Sequence, residues 1–310
     1  MHTMPTRRQA LILSLGAATV LTLTSCNRGE GGAKTVMFAV STQTNPFFVQ
    51  LVEGAKEKAK AIGLDLQVQD ASNDSARQAN QLQNAISQSV PCVILNPTDS
   101  DAVSASVTAL NNAKIPVIAV DRSVSNGTIA SFISSDNVAG GAQAAQALAE
   151  ALGGSGQVII LQGTPGTSAA REREKGFTQE ISKYTGISVV ASQPANFDRA
   201  QALDVTTNLL QANPQVTGIF AANDEMALGA IEALGARAGE KVKVVGFDGT
   251  VAGLKAVKAG TMYATIAQQP KKLGKTAVEQ AAKVLAGESP EAQIQIPVVT
   301  ITKNNVQEAL

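Results

Sequence analysis

The feature that most constrains the fold is a regular alternation of short β-rich runs with helical stretches along most of the chain. It starts with a β-rich run at Thr35 to Ser41 and a helix after Pro46, and it returns to a β-rich run at Val117 to Val120. Strands that alternate with helices form parallel sheets with helices packed on both faces. The pattern therefore predicts an α/β fold.

The alternation falls into two series. The first ends with a strand near Ile129 to Ile133, and the second begins with an Ala-rich helix predicted over Gly141 to Leu152. KIPVIAVDR and VKVVGFDG look like the same element in the two series, a weak internal repeat. Without the N-terminal signal described next, about 285 of the 310 residues remain, which is more than one hydrophobic core usually organises. Two similar lobes with a cleft between them are expected.

The first 25 residues have the pattern of an export signal. Arg7 and Arg8 precede an apolar run from Ala10 to about Leu23, which is shorter than the roughly 20 apolar residues that span a bilayer. The run ends in Leu-Thr-Ser followed by Cys26, which resembles the lipobox of bacterial lipoproteins. An ordinary secretory signal with a chance Cys is the alternative.

A lipobox implies that Cys26 is lipidated and becomes the first residue of the mature protein. We therefore expect residues 1–25 to be a lipoprotein signal peptide and residues 26–33 an anchor linker. The mature protein is then extracytoplasmic, and its membrane contact is the N-terminal lipid.

Composition excludes several classes of function. Removing the signal lowers Lys+Arg from 25 to 23 against 25 Asp+Glu, so the formal net charge is −2 and nothing attracts nucleic acid. The single histidine, His2, leaves with the signal, which excludes His-dependent triads, general bases and metal sites. We expect neither a metal nor a cofactor. Cys92 lies in an apolar run and is predicted to be a small buried hydrophobe.

Polar residues stand where the hydrophobic runs end. In an open α/β sheet, the side chains at the carboxyl ends of the strands meet the ligand in a crevice. Amide side chains both donate and accept, Asp accepts and Arg donates, so such a set suits a ligand covered in hydroxyl groups. A small neutral sugar fits best. The residues are Asn96 after VIL, Asp121 and Arg122 after VIAV, Asn223 after IFAA, Asp248 after VVGF and Gln268 after TIA.

Longer segments around these positions carry a resemblance to a known family. They are VSTQTNPFF (40–48), VILNPTDSDAV (93–103), VIAVDR (117–122), GTSAARER (166–173), SQPANFDR (192–199), AANDEMALGA (221–230), VVGFDG (244–249) and TIAQQP (265–270). Together, and in the same order, they resemble the ribose-binding proteins of the type I periplasmic-binding-protein family.

The resemblance implies a fold and a function. The fold has two similar lobes, each a parallel β-sheet flanked by helices, joined by a three-crossing hinge near Ser135, Gln268 and Val298. The function is to capture D-ribose in the interlobe cleft and deliver it to a membrane ABC permease, without catalysis. In related proteins the bound form also signals to a chemotaxis receptor. We expect a monomer.

The resemblance also implies boundaries and a set of binding residues. Residues 34–135 plus 269–297 form the N-terminal lobe, and residues 136–268 plus 298–310 form the C-terminal lobe. The phenylalanine rings would sandwich the sugar, while the carboxylates accept and the guanidinium groups donate hydrogen bonds. The sugar-contacting positions are Asn45, Phe47, Phe48, Asn96, Asp121, Arg122, Arg173, Phe197, Asn223, Asp248 and Gln268, with Ser135 added where the chain first changes lobe.

Three alternatives remain open. The same fold can bind another sugar, such as allose, a different pentose or a furanosyl signalling molecule. The effector domain of a transcription regulator shares this architecture, but it needs a DNA-binding headpiece where this chain has an export signal. A sugar-processing enzyme would use Asp121 and Asp248 as paired acid and base.

Four local features have simpler explanations than ligand contact. Asp99, Ser100 and Asp101 are predicted to cap a helix from Ala102, because Thr98 and Asp101 have capping-box spacing. Asp224 follows Asn223 at a helix start, where the helix dipole favours anions, so only Asn223 is assigned to the site. The Gly/Thr/Ser loop at 163–168 lacks the lysine and spacing of a nucleotide-binding loop. The charged run around Arg171 and Lys175 is typical of a solvated helix face.

Overall fold

A computed structural model describes residues 35–310, and in that range the chain forms two six-stranded sheets flanked by helices. The signal peptide, Cys26 and the linker at 26–33 lie outside the described residues. We call each sheet with its helices a lobe. No helix in residues 35–310 combines the length and apolar character needed to cross a membrane.

The first sheet is entirely parallel. Its spatial order is β11-β5-β4-β3-β1-β2. Helices α1 (Pro46–Ala61), α2 (Ser75–Ser87), α3 (Ser104–Asn112) and α9 (Pro270–Leu285) pack on it. Its strands are β1 (Thr35–Val40), β2 (Asp65–Asp70), β3 (Val93–Leu95), β4 (Val117–Val120), β5 (Ser131–Ser135) and β11 (Gln293–Ile296).

The second sheet repeats the same order, β12-β10-β9-β8-β6-β7, with one antiparallel strand, β12, at its edge. Its strands are β6 (Ser155–Gln162), β7 (Gly186–Pro194), β8 (Gly218–Ala221), β9 (Lys243–Asp248), β10 (Ala264–Ala267) and β12 (Val299–Thr302). Its helices are α4 (Asn137–Ala151), α5 (Ser168–Ile181), α6 (Arg199–Ala212), α7 (Asp224–Leu234), α8 (Val251–Ala259) and α10 (Val306–Ala309), with a 3₁₀ turn at Gly235–Arg237.

The predicted internal repeat is confirmed, because KIPVIAVDR contains β4 and VKVVGFDG contains β9, the fourth strand of each series. In both sheets the strand order reverses beside the first strand of the series, between β1 and β3 and between β6 and β8. Doubly wound sheets bind ligands at this switch point, outside the carboxyl ends of the strands. Each sheet therefore has an equivalent switch point at which a ligand is expected to bind.

The strands are apolar because helices cover both faces of each sheet. In β1, Val36, Phe38 and Val40 pack into one cluster with α1 and α9, while Met37 and Ala39 point to the opposite face. All five are buried. Cys92 is also fully buried in the first of these clusters, which confirms it as a core residue.

The chain passes between the lobes three times within the described residues: from β5 to α4, from β10 to α9 and from β11 to β12. The crossings are hydrogen-bonded to one another. Asp136 N donates to Ile296 O at 3.0 Å, and Gln269 Nε2 donates to Pro297 O at 3.0 Å. The three segments therefore lie side by side as one hinge.

Two predicted helix starts are wrong. Helix α3 begins at Ser104 rather than Ala102, because Asp99 Oδ1 accepts from the backbone N–H groups of Asp101 and Ala102, both at 2.8 Å, and forms a turn before the helix. Asp99 therefore caps the turn that precedes α3, as predicted for this segment, but the predicted Thr98–Asp101 capping box is wrong.

Helix α4 begins at Asn137, capped by Asp136, rather than at Gly141. Glycine in a helix usually weakens it, but here α4 packs closely against α5. A Cβ on Gly141 would lie 2.2 Å from Arg173 O, so only glycine fits.

Candidate ligand-binding site

A small cavity lies between the two lobes at the carboxyl ends of the strands. It is lined by Asn45, Phe47, Phe48, Asp121, Arg122, Ala169, Arg173, Phe197, Asn223 and Asp248. The structure thus brings nine predicted positions from both lobes to one place, and the other three, Asn96, Ser135 and Gln268, lie outside this lining set.

The first lobe contributes a carboxylate that an amide orients. Asp121 follows β4 with φ 68°, and Asn96 Nδ2 donates to Asp121 Oδ2 at 3.1 Å. Asn96 itself is fully buried, and its Oδ1 accepts a hydrogen bond from Ser41 N at 3.1 Å. Burial raises the pKa of Asp121, and the positive charges of Arg122 and Arg173 oppose that rise. Asn96 therefore supports Asp121 from beneath the cavity.

Arg122 is buried with one donor unused. Its Nη1 donates to Pro97 O at 2.9 Å, and its Nε lies 3.7 Å from Asp121 Oδ2 without making a hydrogen bond within residues 35–310. A buried guanidinium N–H without a partner carries a desolvation penalty of about 1–3 kcal/mol or more. A ligand oxygen in the cavity would remove that penalty.

The second lobe repeats the arrangement of a carboxylate held by an amide. Asp248 ends β9 with φ 123°, and its Oδ1 accepts from Gln268 Nε2 at 2.7 Å. Arg173 Nη1 lies 3.6 Å from the same oxygen. Burial raises the pKa of Asp248 well above its usual range, and Arg173 opposes the rise. Gln268 Oε1 finds no hydrogen-bond partner in the described part of the chain.

Arg173 is fixed from three sides. Its Nε donates to Asn137 Oδ1 at 2.9 Å, its Nη1 donates to Ala222 O at 2.8 Å, and its Cζ lies 3.9 Å from the ring centroid of Phe247. Burial lowers the pKa of Arg173, while Asp248 and Asp121 raise it. The guanidinium group is therefore held in place before any ligand arrives.

Phe247 is a supporting residue that the sequence analysis missed. The sequence offered one indication of this role: Phe247 directly precedes Asp248 in VVGFD. An aromatic residue next to a strand-end carboxylate can contact the arginine that pairs with that carboxylate, which here is Arg173. Ala169, in the first turn of α5, also lines the cavity and was missed. No pattern in the sequence distinguishes it from the other alanines.

Three phenylalanine rings supply the apolar walls. Asn45 caps α1 by accepting from Phe47 N at 2.9 Å, which sets Phe47 and Phe48 in the first helical turn. Their rings pack edge to face with centroids 5.2 Å apart and an interplanar angle of 84°. Both rings belong to the core cluster and line the cavity.

Phe197 faces them from the second lobe, and its ring lies 5.7 Å from the Cζ atoms of both Arg122 and Arg173. Its position depends on Gly163, since a Cβ there would lie 2.1 Å from Phe197 Cζ. Asn223 Nδ2 donates to Phe197 O at 3.2 Å, while its Oδ1 caps α7 by accepting from Met226 N at 2.9 Å. Gly163 therefore leaves room for the Phe197 ring, and Asn223 holds the Phe197 backbone, whose φ is 59°.

Ser135 ends β5 at the first crossing and is 1% exposed. Its Oγ has no hydrogen-bond partner among residues 35–310, so the hydroxyl is available to a neighbouring group.

The charges of the cavity nearly balance. The charged groups among its lining residues are the carboxylates of Asp121 and Asp248 and the guanidinium groups of Arg122 and Arg173. In residues 35–310 no cluster of three or more His, Cys, Asp or Glu side chains is placed to hold a metal ion. The arrangement suits a neutral polar molecule with apolar faces, because hydroxyls meet the charged groups and C–H groups meet the rings.

The lobes also touch directly beside the cavity. Ser100 N donates to Gly166 O at 3.0 Å, and Ser123 N donates to Ser168 Oγ at 2.9 Å. Gly166 and Ser168, in the Gly/Thr/Ser loop at 163–168, thus accept hydrogen bonds from the first lobe. Contact between the lobes is therefore one role for the small and hydroxyl residues of this loop.

Residues 36–289 match the family described as periplasmic binding protein domain. The chain belongs to this family. Among its relatives are the ribose import binding proteins of Haemophilus influenzae, 48% identical over 87% of this chain and 91% of that protein, and of Bacillus subtilis, 41% identical over 87% and 88%.

Solved structures of the family agree with the fold. A Caulobacter myo-inositol binding protein bound to myo-inositol has a TM-score of 0.84 and 34% identity, covering 89% of this chain and 95% of its own. A periplasmic solute binding protein of an ABC transporter from Actinobacillus succinogenes with bound D-allose has a TM-score of 0.82 and 35% identity, covering 88% and 99%. The predicted type I periplasmic-binding-protein fold is confirmed.

Proposed function

We propose that the protein is an extracytoplasmic solute-binding component that captures D-ribose in the interlobe cavity and delivers it to a membrane ABC permease. The observation that carries the proposal is the convergence of two carboxylates, two arginines and three phenylalanine rings from both lobes on one small cavity. Relatives named as ribose import binding proteins reach 48% identity and cover 87% of this chain, which supports ribose over other sugars.

Each residue type has a task in this proposal. Asp121 and Asp248 accept hydrogen bonds from ribose hydroxyls, while Arg122 and Arg173 donate to ribose oxygens, and each such bond contributes about 1.5–3 kcal/mol. The phenylalanine rings cover the C–H faces of the sugar and exclude water. Asn45, Asn96, Ser135, Asn223 and Gln268 complete the polar set, some by contact and some by orienting the charged groups.

The proposed mechanism is closure of the lobes on the sugar. A ligand shifts a conformational equilibrium only by its differential affinity for the two states, and contacts from both lobes exist only when the lobes meet. We assign residues 34–135 plus 269–297 to one lobe and residues 136–268 plus 298–310 to the other. The closed surface is the form that the permease would recognise, and it is also the candidate surface for a chemotaxis receptor.

Calorimetric titration with a panel of sugars tests the ligand. We expect D-ribose to bind most tightly. At equal concentrations the sugar with the lowest Kd raises the melting temperature most, and a ligand at 100 times its Kd stabilises the folded state by about 2.7 kcal/mol. D-allose, myo-inositol, xylitol and L-arabinose are the competitors, since related proteins are named for them or carry them. Tighter binding of any of these than of ribose would reassign the ligand, and turnover of ribose on prolonged incubation would indicate an enzyme.

We also propose that Cys26 is lipidated and anchors the protein to the cell membrane. The Leu-Thr-Ser-Cys sequence after an apolar run supports this. The expected result is incorporation of labelled fatty acid into the wild-type protein and none into Cys26→Ser. Recovery of unlabelled wild-type protein in the soluble extracytoplasmic fraction would contradict the anchor. Sedimentation of the protein without its signal is expected to give a monomer.

A further inference from the structure

The carboxylate of Asp224 is fully buried and forms no ion pair within residues 35–310. Buried carboxylates are costly unless hydrogen bonds satisfy them. The location of those hydrogen bonds therefore indicates what the residue does.

Within residues 35–310, the hydrogen bonds of the Asp224 carboxylate go to the segments that follow and flank Asp248. Its Oδ2 accepts from Thr250 N at 2.7 Å and from Thr250 Oγ1 at 2.9 Å, and its Oδ1 accepts from Thr265 Oγ1 at 2.6 Å. The helix dipole explains an anion at the start of α7, but it does not explain three contacts with the β9–α8 turn and β10.

The two threonines extend the network to the rest of the turn. Thr265 Oγ1 accepts from Gly249 N at 3.2 Å, and Thr250 Oγ1 caps α8 by accepting from Gly253 N at 3.0 Å. Each hydroxyl donates its proton to Asp224 and is then free to accept from a backbone N–H group. Asp224 therefore fixes the backbone of the turn from Gly249 to Gly253.

This turn needs such support because the residue before it, Asp248, is strained. Asp248 has φ 123°, a conformation that costs about 1–3 kcal/mol and persists only where the surroundings determine it. Two glycines leave room for the supporting carboxylate: a Cβ on Gly246 would lie 2.5 Å from Asp224 Oδ1, and one on Gly253 would lie 2.2 Å from Asp224 Oδ2.

We infer that Asp224 is a positioning residue for ligand binding, which holds Asp248 in its strained conformation and so aims the Asp248 carboxylate into the cavity. Asp224 does not line the cavity itself. The inference rests on the proposed sugar-binding function. It gives the pair Asn223–Asp224 two roles, because Asn223 lines the cavity and Asp224 supports the segment that follows Asp248.

The test is a double-mutant cycle read by calorimetric titration with D-ribose. Asp224→Asn keeps the size of the side chain but replaces one acceptor by a donor, and we expect affinity to fall by at least about fivefold. Asp248→Asn should also weaken binding. If Asp224 acts through Asp248, the double variant binds about as weakly as Asp248→Asn alone. A merely structural role predicts instead that the two losses multiply, and that result would overturn the inference.

Two further variants keep the result interpretable. Thr265→Val removes the other end of the same network and should weaken binding even if Asp224→Asn fails to fold. Thr206→Val is the matched control, because Thr206 is equally buried in the second lobe and its Oγ1 has no partner among the described residues. Its affinity should stay within about twofold of wild type. Unchanged affinity in both Asp224→Asn and Thr265→Val would also overturn the inference.

The proposed function fails separately. Wild-type protein that gives no binding heat with D-ribose contradicts the ribose assignment, and the same cycle is then run with the sugar that the panel selects.

Discussion

At the scale of the residue, the two lobes present the same device. A carboxylate ends the fourth strand of each series with positive φ, Asp121 at 68° and Asp248 at 123°, and an amide from the neighbouring strand end donates to it. The left-handed conformation of Asp121 is one that aspartate and asparagine tolerate, whereas the φ of 123° at Asp248 is strained for any residue except glycine. The conformation turns each carboxylate from the sheet into the cleft, where both lobes need an acceptor.

Removing one of these carboxylates should weaken ribose binding, because it removes a proposed direct contact with the sugar. Asp248→Ala strands Gln268 Nε2 and leaves Arg173 without its nearest carboxylate, so we expect at least about a tenfold loss of affinity by calorimetry. Asp204→Ala is the matched control, since Asp204 is an exposed aspartate on α6 of the same lobe. Equal affinities of the two variants would remove Asp248 from the site.

The buried charge of Asp224 predicts a dependence of stability on pH. Burial raises its pKa from 3.8 to about 6, while Thr265 and Thr250 oppose the rise and the nearby charge of Glu225 adds to it. Asp248 and Arg173 are the other charged groups that interact with it. Because the folded state binds the proton more tightly than the unfolded state, this contribution to stability is complete below pH 3.8 and is lost as the pH rises through about 6.

The measurement compares wild type with Asp224→Asn in urea between pH 4 and pH 7. The free energy of unfolding of the wild type should fall relative to that of the variant as the pH rises, with a slope of at most about 1.4 kcal/mol per pH unit for one proton. Parallel curves would show that Asp224 has the same pKa in the folded and unfolded states.

At the scale of the element, glycines set how closely segments approach. Helices α4 and α5 pack closely at Gly141 and Gly176, where added Cβ atoms would lie 2.2 Å and 2.0 Å from the backbone of the partner helix. The loop before α5 uses the same principle across the cleft. A Cβ on Gly166 would lie 1.8 Å from Asp99 Oδ2 of the first lobe.

Gly166→Ala should therefore hinder closure of the lobes. Gly166 has φ +85°, so the substitution also strains the loop itself. Gly154→Ala separates the two effects, because Gly154 has a similar φ of +78° and nothing within 4 Å of its added Cβ. We expect both variants to lose similar thermal stability, and Gly166→Ala alone to bind ribose more weakly, by at least about fivefold. Equal affinities would mean that the loop yields to the methyl group.

At the scale of the whole molecule, the three crossings lie side by side and are hydrogen-bonded to one another. They form one hinge, about which we expect the two lobes to open and close. Direct contacts between the lobes involve Ser100, Ser123, Gly166 and Ser168 beside the cavity. A sugar that adds contacts from both sides stabilises that arrangement further.

Small-angle X-ray scattering checks this movement. The radius of gyration of the wild-type protein should decrease on saturation with D-ribose, because the closed form is more compact than any form in which the lobes separate. Asp248→Ala at the same ribose concentration, below its own Kd, serves as the control and should show little change. An unchanged radius in a wild-type sample that binds ribose by calorimetry would contradict closure by the ligand.

The sequence by itself determined the succession of strands and helices and the positions of the polar strand ends. These follow from local rules: side-chain periodicity identifies each element, and parallel strands bring their carboxyl ends to the same edge of a sheet. Asp121 and Asp248 were therefore predictable as neighbours of the cleft before any contact was known. Sequence resemblance, rather than periodicity, added Arg173 and the phenylalanines.

Only the tertiary structure decided how the strands pair and which residues support the site. The resemblance placed residues 293–296 and 299–302 in different lobes, but the structure shows that β11 pairs parallel with β5 and that β12 pairs antiparallel with β10. Phe247 acts through a contact with Arg173, 74 positions away, and Asp224 acts through hydrogen bonds to Thr250 and Thr265, 26 and 41 positions away. Local periodicity carries no information about such contacts, because burial, close packing and hydrogen bonding between distant segments exist only once the chain has folded.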